Sequence, residues 1–287
     1  MSFPVDLHLH STASDGALPP AELVRLAHRH GVRCLALTDH DTVEGISAAA
    51  RAALDLEMGF LAGIELSVSW QGIDVHVVGL GIDPGNPTIR DGIAFQQQQR
   101  AERAVKMAEK LERKGFAGAL QGARSVAGEA TVTRTHFARW LVEARHAPDL
   151  QSAFKRYLRR GKPGYVRAEW ASLSVAIDWI RQAGGRAVLA HPLRYPLSLR
   201  KLRRLIGEFG AAGGIGLEVV SGPQTFDRTE LLAQLCDWHG MLGSCGSDFH
   251  SPDQAWLVPG RIAAFPRGCA PIWRDWPELE PYLASAA

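Results

Sequence analysis

Apolar and polar residues along this chain follow two periods in turn. In the first stretch Val5, Leu7 and Leu9 point one way while Asp6, His8 and His10 point the other, because residues two apart on a strand share a face. A turn over residues 11–16 follows, carrying Asp15. Residues 19–31 open on Pro19-Pro20 and close on Gly31, the punctuation of a helix whose apolar face is Leu23, Leu26 and Ala27. A strand over 32–37 runs into Thr38-Asp39-His40-Asp41-Thr42, where Asp41 or Thr42 is expected to cap a helix through Ala53. Strands over 60–68 and 73–80 come next. Glu65 lies opposite Ile64 and Leu66 on the first, and His76 lies opposite Val75 and Val77 on the second.

From Pro87 to about Arg167 the two-residue period disappears. Helices are predicted over 87–114, 133–145 and 149–160, in a segment rich in arginine. Alternation resumes at Ser172. Helices over 172–182, 199–209 and 225–238 separate strands over 186–190, 214–220 and 241–247. Strands alternating with helices indicate an α/β fold. The expected division is a barrel in two parts, residues 1–98 and 168–287, with residues 99–167 as an inserted helical lid.

Composition narrows the picture only a little. Of 287 residues, 46% are hydrophobic and 22% charged, as in an ordinary soluble globular protein. A formal net charge of +2 argues neither for nor against nucleic acid; only a local cluster could. The four cysteines form no C-x-x-C pair and are expected to be reduced. No leader-like N-terminus and no membrane-length apolar run is visible, so a cytoplasmic protein without a membrane partner is expected. Neither a G-x-S-x-G elbow nor a G-x-x-x-x-G-K-[ST] loop occurs.

The chemistry sits where strands end. His8, His10, Asp15, His40, Glu65, His76, His191, Asp248 and His250 each fall at or near the C-terminal end of a strand or in the turn after it. Each alone has a plain reading. His8 and His10 are two polar residues on a half-exposed strand, His76 is a core histidine, and Asp39 and Asp41 are helix caps or partners that orient His40. Together they occupy the rim where α/β barrels build active sites. Glu65 in an apolar strand is costly unless paired or bound to metal. Imidazole and carboxylate donors suit manganese, zinc or iron.

In His8-Leu9-His10 with Asp15, Thr38-Asp39-His40-Asp41, Gly63-Ile64-Glu65, His76, His191-Pro192 and Ser247-Asp248-Phe249-His250, the chain resembles the PHP (polymerase and histidinol phosphatase) family of metal-dependent phosphoesterases. The resemblance implies a distorted (β/α)7 barrel with a trinuclear manganese centre, for which zinc, iron and magnesium are the alternatives. One ion would take His8, His10, Glu65 and Asp248. A second would take Glu65, His76 and His191, and a third Asp15, His40 and His250. The insertion, through Arg134-Thr135-His136-Phe137 and Ala153-Phe154-Lys155-Arg156-Tyr157-Leu158, resembles the branch that removes the 3′-phosphate from nucleoside 3′,5′-bisphosphates. That branch also contains enzymes that degrade short RNA from its 5′ end.

The activity implied is hydrolysis of a phosphate ester by hydroxide held between metal ions. Arg134 would help neutralise the phosphate, and Asp248 or His250 would protonate the leaving oxygen. Asp41, Gln99, Arg100, Arg103, Arg134 and Thr135 are the candidate substrate contacts, with Phe137, Trp140 or Tyr157 as a platform for a base. Glu218 falls on a strand and has no metal role in this reading; orienting a ligand and pairing in the core are equally open to it. Histidinol phosphatase and a structural metal-binding module compete. The arginine-rich insertion argues against the first, and the full ligand set against the second. A nucleotide is the expected partner, with short RNA as the alternative and no obligate protein partner.

Overall fold

The computed structural model describes residues 4–254 and 256–284. Seven strands follow one another in a single sheet in chain order: β1 Val5–Asp6, β2 Cys34–Leu37, β3 Gly59–Trp70, β4 Ile73–Leu80, β5 Arg186–Leu189, β6 Gly216–Ser221 and β7 Leu242–Gly246. The extension of β1 meets β7. Leu7 donates its N–H to the Cys245 carbonyl at 3.0 Å, and His10 donates to that of Phe249 at 3.1 Å. Leu9 and Phe249 form a parallel bridge, so the sheet curls into a nearly closed barrel. The α/β barrel expected from the alternation is present.

One strand breaks the expected pattern. β4 runs antiparallel to both β3 and β5, whereas the other neighbours are parallel. β3 and β4 are joined by Gln71-Gly72, whose φ angles of 46° and 78° make the mirror-image turn that matches strand twist in a hairpin. A two-residue turn cannot carry the crossover that a parallel pair needs. His76 therefore lies in the first half of β4, and not near a C-terminal strand end as expected. The reversal of β4 still brings it level with Ser67, at the same end of the barrel as the other polar residues.

Around the sheet lie α1 Pro20–Arg29, α2 Ile46–Asp55, and the start of α3 Pro87–Glu112. One apolar cluster joins α1 and α2 to β2 through Leu23, Val24, Leu35, Leu37, Ala49 and Ala53. The helix after His40 starts later than expected. Gly45 is the N-cap of α2 and neither Asp41 nor Thr42 caps it. Both are engaged elsewhere: Asp41 accepts the Ser67 N–H at 2.9 Å, and Thr42 Oγ1 accepts that of Glu44 at 3.3 Å.

The chain divides into two compact units, one of residues up to Ile93 and from Ala171 onward, the other Ala94–Trp170. The second unit holds most of α3 with α4 Ala119–Ala127, α5 Arg134–Glu143 and α6 Leu150–Ala153 around Leu111, Phe137, Leu141 and Leu158. α4 was not foreseen. Its buried face is Ala119, Ala123 and Ala127, too small to give a strong apolar period. The helix expected over 149–160 is α6 followed by a single π turn, Phe154–Leu158.

In the first unit α7 Leu173–Gln182, α8 Leu199–Ala211 and α9 Phe226–Trp238 alternate with β5, β6 and β7. The larger core cluster joins them through Ile180, Val188, Ile206, Leu217 and Leu235. Short helical turns and α10 Glu280–Ala284 end the described chain. Among the described residues no helix is long and apolar enough to cross a membrane. The four cysteines are not disulfide-bonded.

Candidate metal centre

The barrel end gathers all nine polar residues singled out in the sequence. Their donor atoms fall into four overlapping groups, within each of which all lie within 4.8 Å of one another: His10, Asp15, His40 and His250; His8, His10 and Asp248; His8, Glu65 and His191; His40, Glu65 and His76. Six of the chain's eleven histidines are used here. The grouping places His8 with both Asp248 and Glu65, and His10 with both Asp248 and Asp15, so neither histidine belongs to one candidate position alone.

Glu65 is the hub. Its Oε2 lies 3.3 Å from His8 Nε2, 3.3 Å from His10 Nε2 and 2.9 Å from His40 Nδ1. Its Oε1 lies 2.9 Å from His76 Nδ1 and 3.1 Å from His191 Nε2. A carboxylate with no exposed surface thus faces five imidazoles. Several of these buried atoms make no hydrogen bond: His8 Nε2, both nitrogens of His10, His40 Nδ1 and Glu65 Oε2. Buried polar atoms left without hydrogen bonds need another partner, and converging nitrogen and oxygen donors fit divalent cations.

Electrostatics follow from the same packing. Burial pushes the Glu65 carboxyl up, but the imidazoles of His40, His76 and His8 pull it well below the usual carboxylate range. Burial likewise opposes ionisation of Asp248 and Asp15. Arg194, His8 and His250 overcome it at Asp248, and His40 and His250 at Asp15, so both stay well below their ordinary values. Burial drives His40 down to about 4, in its neutral, ligand-competent form. His10 is opposed by burial yet held at about 10 by Asp248 and Glu65. A cation would have to displace that proton, since only neutral imidazole ligates.

The backbone is strained where the donors sit. His191, Asp248 and Asp41 have φ of 29°, 54° and 49°, in the left-handed region that non-glycine residues rarely adopt. Such residues cluster at functional sites. Hydrogen bonds around the cluster hold these turns. Glu218 Oε1 lies 3.1 Å from His8 Nδ1, and its Oε2 accepts the His191 N–H at 2.5 Å. Glu218 thus orients two of the nine, one of the two roles open to it from sequence. Asp39 is not a cap; it accepts from the Ser11 N–H and from the hydroxyls of Ser11 and Ser14, at 2.6–2.7 Å, which fixes the turn bearing Asp15. Tyr195 accepts the His76 N–H at 2.8 Å. Sequence reasoning missed Tyr195 and Arg194, which pairs with Asp248. Their proximity to His191-Pro192 is the one signal that could have flagged them.

The candidate substrate contacts divide between the units. Asp41 is buried in the barrel unit. Within the helical unit Arg100, Arg103 and Arg134 line a small cavity with Thr133 and Trp170, while Gln99 and Thr135 do not line it. The guanidinium carbons of Arg100 and Arg103 lie 5.1 and 5.5 Å from the Trp170 ring centre. The proposed aromatic platform is differently occupied. Phe137 is fully buried, Trp140 packs over Gly122, and the Tyr157 hydroxyl donates to the His146 carbonyl at 3.3 Å. His136 completes a capping box with Thr133.

Comparison with known proteins agrees with this geometry. The model of the PHP domain family matches residues 6–187. A 3′,5′-nucleoside bisphosphate phosphatase of Chromobacterium violaceum is 46% identical over 94% of this chain and 95% of its own length. The 5′-3′ exoribonuclease Rnm of Escherichia coli is 42% identical over 94% and 93%. A solved structure of an amidohydrolase from Chromobacterium violaceum, with sulfate bound and no metal, superposes with a TM-score of 0.91 at 45% identity, covering 97% of this chain and 96% of that one.

Proposed function

The chain belongs to the PHP domain family, and from that premise we propose that it is a metal-dependent phosphoesterase that removes the 3′-phosphate of nucleoside 3′,5′-bisphosphates. The products are nucleoside 5′-monophosphate and phosphate. The observation that carries the reading is the ring of five imidazoles on the buried Glu65 carboxylate, completed by Asp15, Asp248, His250 and their hydrogen-bonded supports. A relative 46% identical over nearly the whole chain is named for this reaction.

We assign the cluster to manganese, three ions per chain, held by His8, His10, Asp15, His40, Glu65, His76, His191, Asp248 and His250. When bound, such ions supply an activated water and neutralise the oxygens of the reacting phosphate. The chain's own groups do the rest. Glu218 and Asp39 hold donors in place before substrate arrives, so little reorganisation is needed during reaction. Asp248 is held ionised, so it would serve as a ligand and not as the donor of a proton to the departing 3′ oxygen. In the helical unit we assign Arg100, Arg103 and Arg134 to phosphate recognition, since guanidinium matches phosphate geometry. Gln99, Thr135 and Asp41 remain candidate contacts to the nucleotide. A cytoplasmic location fits the unbonded cysteines.

The test is phosphate release from adenosine 3′,5′-bisphosphate with manganese, with and without chelator. Chelator-sensitive release yielding adenosine 5′-monophosphate is expected; no release from the manganese-loaded protein would refute the reading. Removal of nucleotides from the 5′ end of short RNA is the second reading, favoured by the 42% identity to exoribonucleases over most of the chain.

A further inference from the structure

Away from the metal cluster, two of the four cysteines face each other. Cys236 lies in the last turn of α9 and is fully buried, whereas Cys269 follows Gly268 in the segment after β7 and is partly buried. Their sulfurs are 3.7 Å apart, Cys269 donating to Cys236, which donates on to the Met241 carbonyl at 3.1 Å. The backbone beside Cys269 is anchored to β7. Gly243 donates its N–H to the Ala270 carbonyl at 2.8 Å and bridges to Pro271. A Cβ on Gly243 would come within 2.6 Å of Cys269 Sγ, so the glycine leaves the room in which that thiol sits. Gly243 lies at the start of β7, while Asp248 and His250 lie beyond its other end. Cys34 and Cys245 are fully buried, and each donates to a carbonyl, of Leu279 and Val5, not to another sulfur.

We propose that Cys236 and Cys269 form a reversible dithiol–disulfide couple, oxidised by hydroperoxides, that staples the C-terminal segment to α9 and leaves the metal centre intact. A disulfide needs its sulfurs about 2 Å apart. Rotation of the two side chains, with the turn at Gly268, whose φ of 86° faces open space, takes up the difference. Cys269 is the first to react, because the thiolate is the nucleophile. It has exposed surface, and the Cys236 thiol beside it lowers its pKa, while Cys269 and burial raise that of Cys236. The Cys269 thiolate attacks one oxygen of hydrogen peroxide. A sulfur–oxygen bond forms, the oxygen–oxygen bond breaks, and hydroxide leaves to take up the proton that the thiol gave. Cys236 then attacks the sulfenic sulfur. The sulfur–sulfur bond forms, the sulfur–oxygen bond breaks, and the Cys236 proton leaves with that oxygen as water. Two thiols have then lost two electrons, and peroxide has become two waters. The bond joins positions 33 apart and closes a loop that carries β7, Asp248 and His250. Closing such a loop restricts the unfolded chain, so the oxidised form is the more stable one.

The test is oxidation of the manganese-loaded protein by hydrogen peroxide, in wild type, Cys269→Ser and Cys236→Ser. Wild type should lose two hydrogens by intact mass, with Cys236 and Cys269 joined in one linked peptide pair, and dithiothreitol should restore both thiols. Its melting temperature should rise by about 5 °C on oxidation and fall back on reduction. Manganese content, read by elemental analysis, should be equal in the two forms. Neither variant should give the linked peptides or the shift in melting. Cys269→Ser, at a partly exposed position, keeps the comparison should Cys236→Ser fail to fold. Sulfinic acid at Cys269 without linked peptides, a link between other cysteines, a linked protein with an unmoved melt, or one stripped of manganese would each overturn the proposal. The thiol and melting readouts do not depend on which phosphoester the chain cleaves, so they stand apart from the phosphoesterase reading.

Discussion

A buried carboxylate such as Glu65, among Ile64, Leu66 and Val68, carries a desolvation cost of several kcal/mol unless opposite charge is close. Five imidazoles surround it. His10 is held protonated beside it, its pKa at about 10, while the neutral His40 leaves nitrogen donors that suit a cation. Glu65→Gln keeps the volume and removes the charge. Its metal content, read by elemental analysis, should fall, and turnover should drop by more than about 100-fold, the upper end of the loss seen when even a supporting group outside the ligand set is removed. Full activity in a metal-depleted Glu65→Gln protein would refute the assignment. Glu218→Ala probes such a supporting group. It leaves His8 Nδ1 and the His191 N–H without their carboxylate, and metal affinity, measured by competition with a chelator, should weaken about 10–100-fold. His8 and His10 were legible in the sequence because a strand puts alternate residues on one face. The role of Glu218 was not, because His8 lies 210 residues away along the chain.

Elements place these residues through close backbone approach. Gly246 ends β7 where a Cβ would come within 2.2 Å of His8 Cβ. Gly246→Ala must push the two segments apart, so overpacking is expected to cost about 1–3 kcal/mol and to move His8 out of register with Glu65. A lower melting temperature together with reduced metal content would show both effects; a normal melt with full metal would show that the approach is not needed. In the helical unit, Thr133 caps α5 by accepting the Thr135 N–H at 3.1 Å. Thr133→Ala should cost about 1 kcal/mol in urea unfolding. Helix ends marked by proline, glycine or a capping hydroxyl were readable. α4 was not, since an alanine face carries little apolar signal.

For the whole molecule, the cluster links folding to metal. Three carboxylates and six imidazoles converge from six strands or their extensions, and no such convergence exists in an unfolded chain. Metal therefore binds the folded state preferentially, adding about 2.7 kcal/mol when its free concentration is 100 times the dissociation constant. Thermal melts should show a higher transition with manganese that returns to the lower value on adding chelator; identical melts would argue against a loaded site. Most strand and helix positions, the barrel class and the identity of the nine converging polar residues were legible in the sequence, because periodicity reports which face a residue occupies; α4 and the place of His76 in the first half of β4 were not. The reversed direction of β4, the grip of Glu218 on His8 and His191, and the Arg194 bridge between Asp248 and Ser221 were decided only in the tertiary structure. Strand direction depends on which turn closes it, and partners some 30–210 residues apart meet only once the sheet has curled into a barrel.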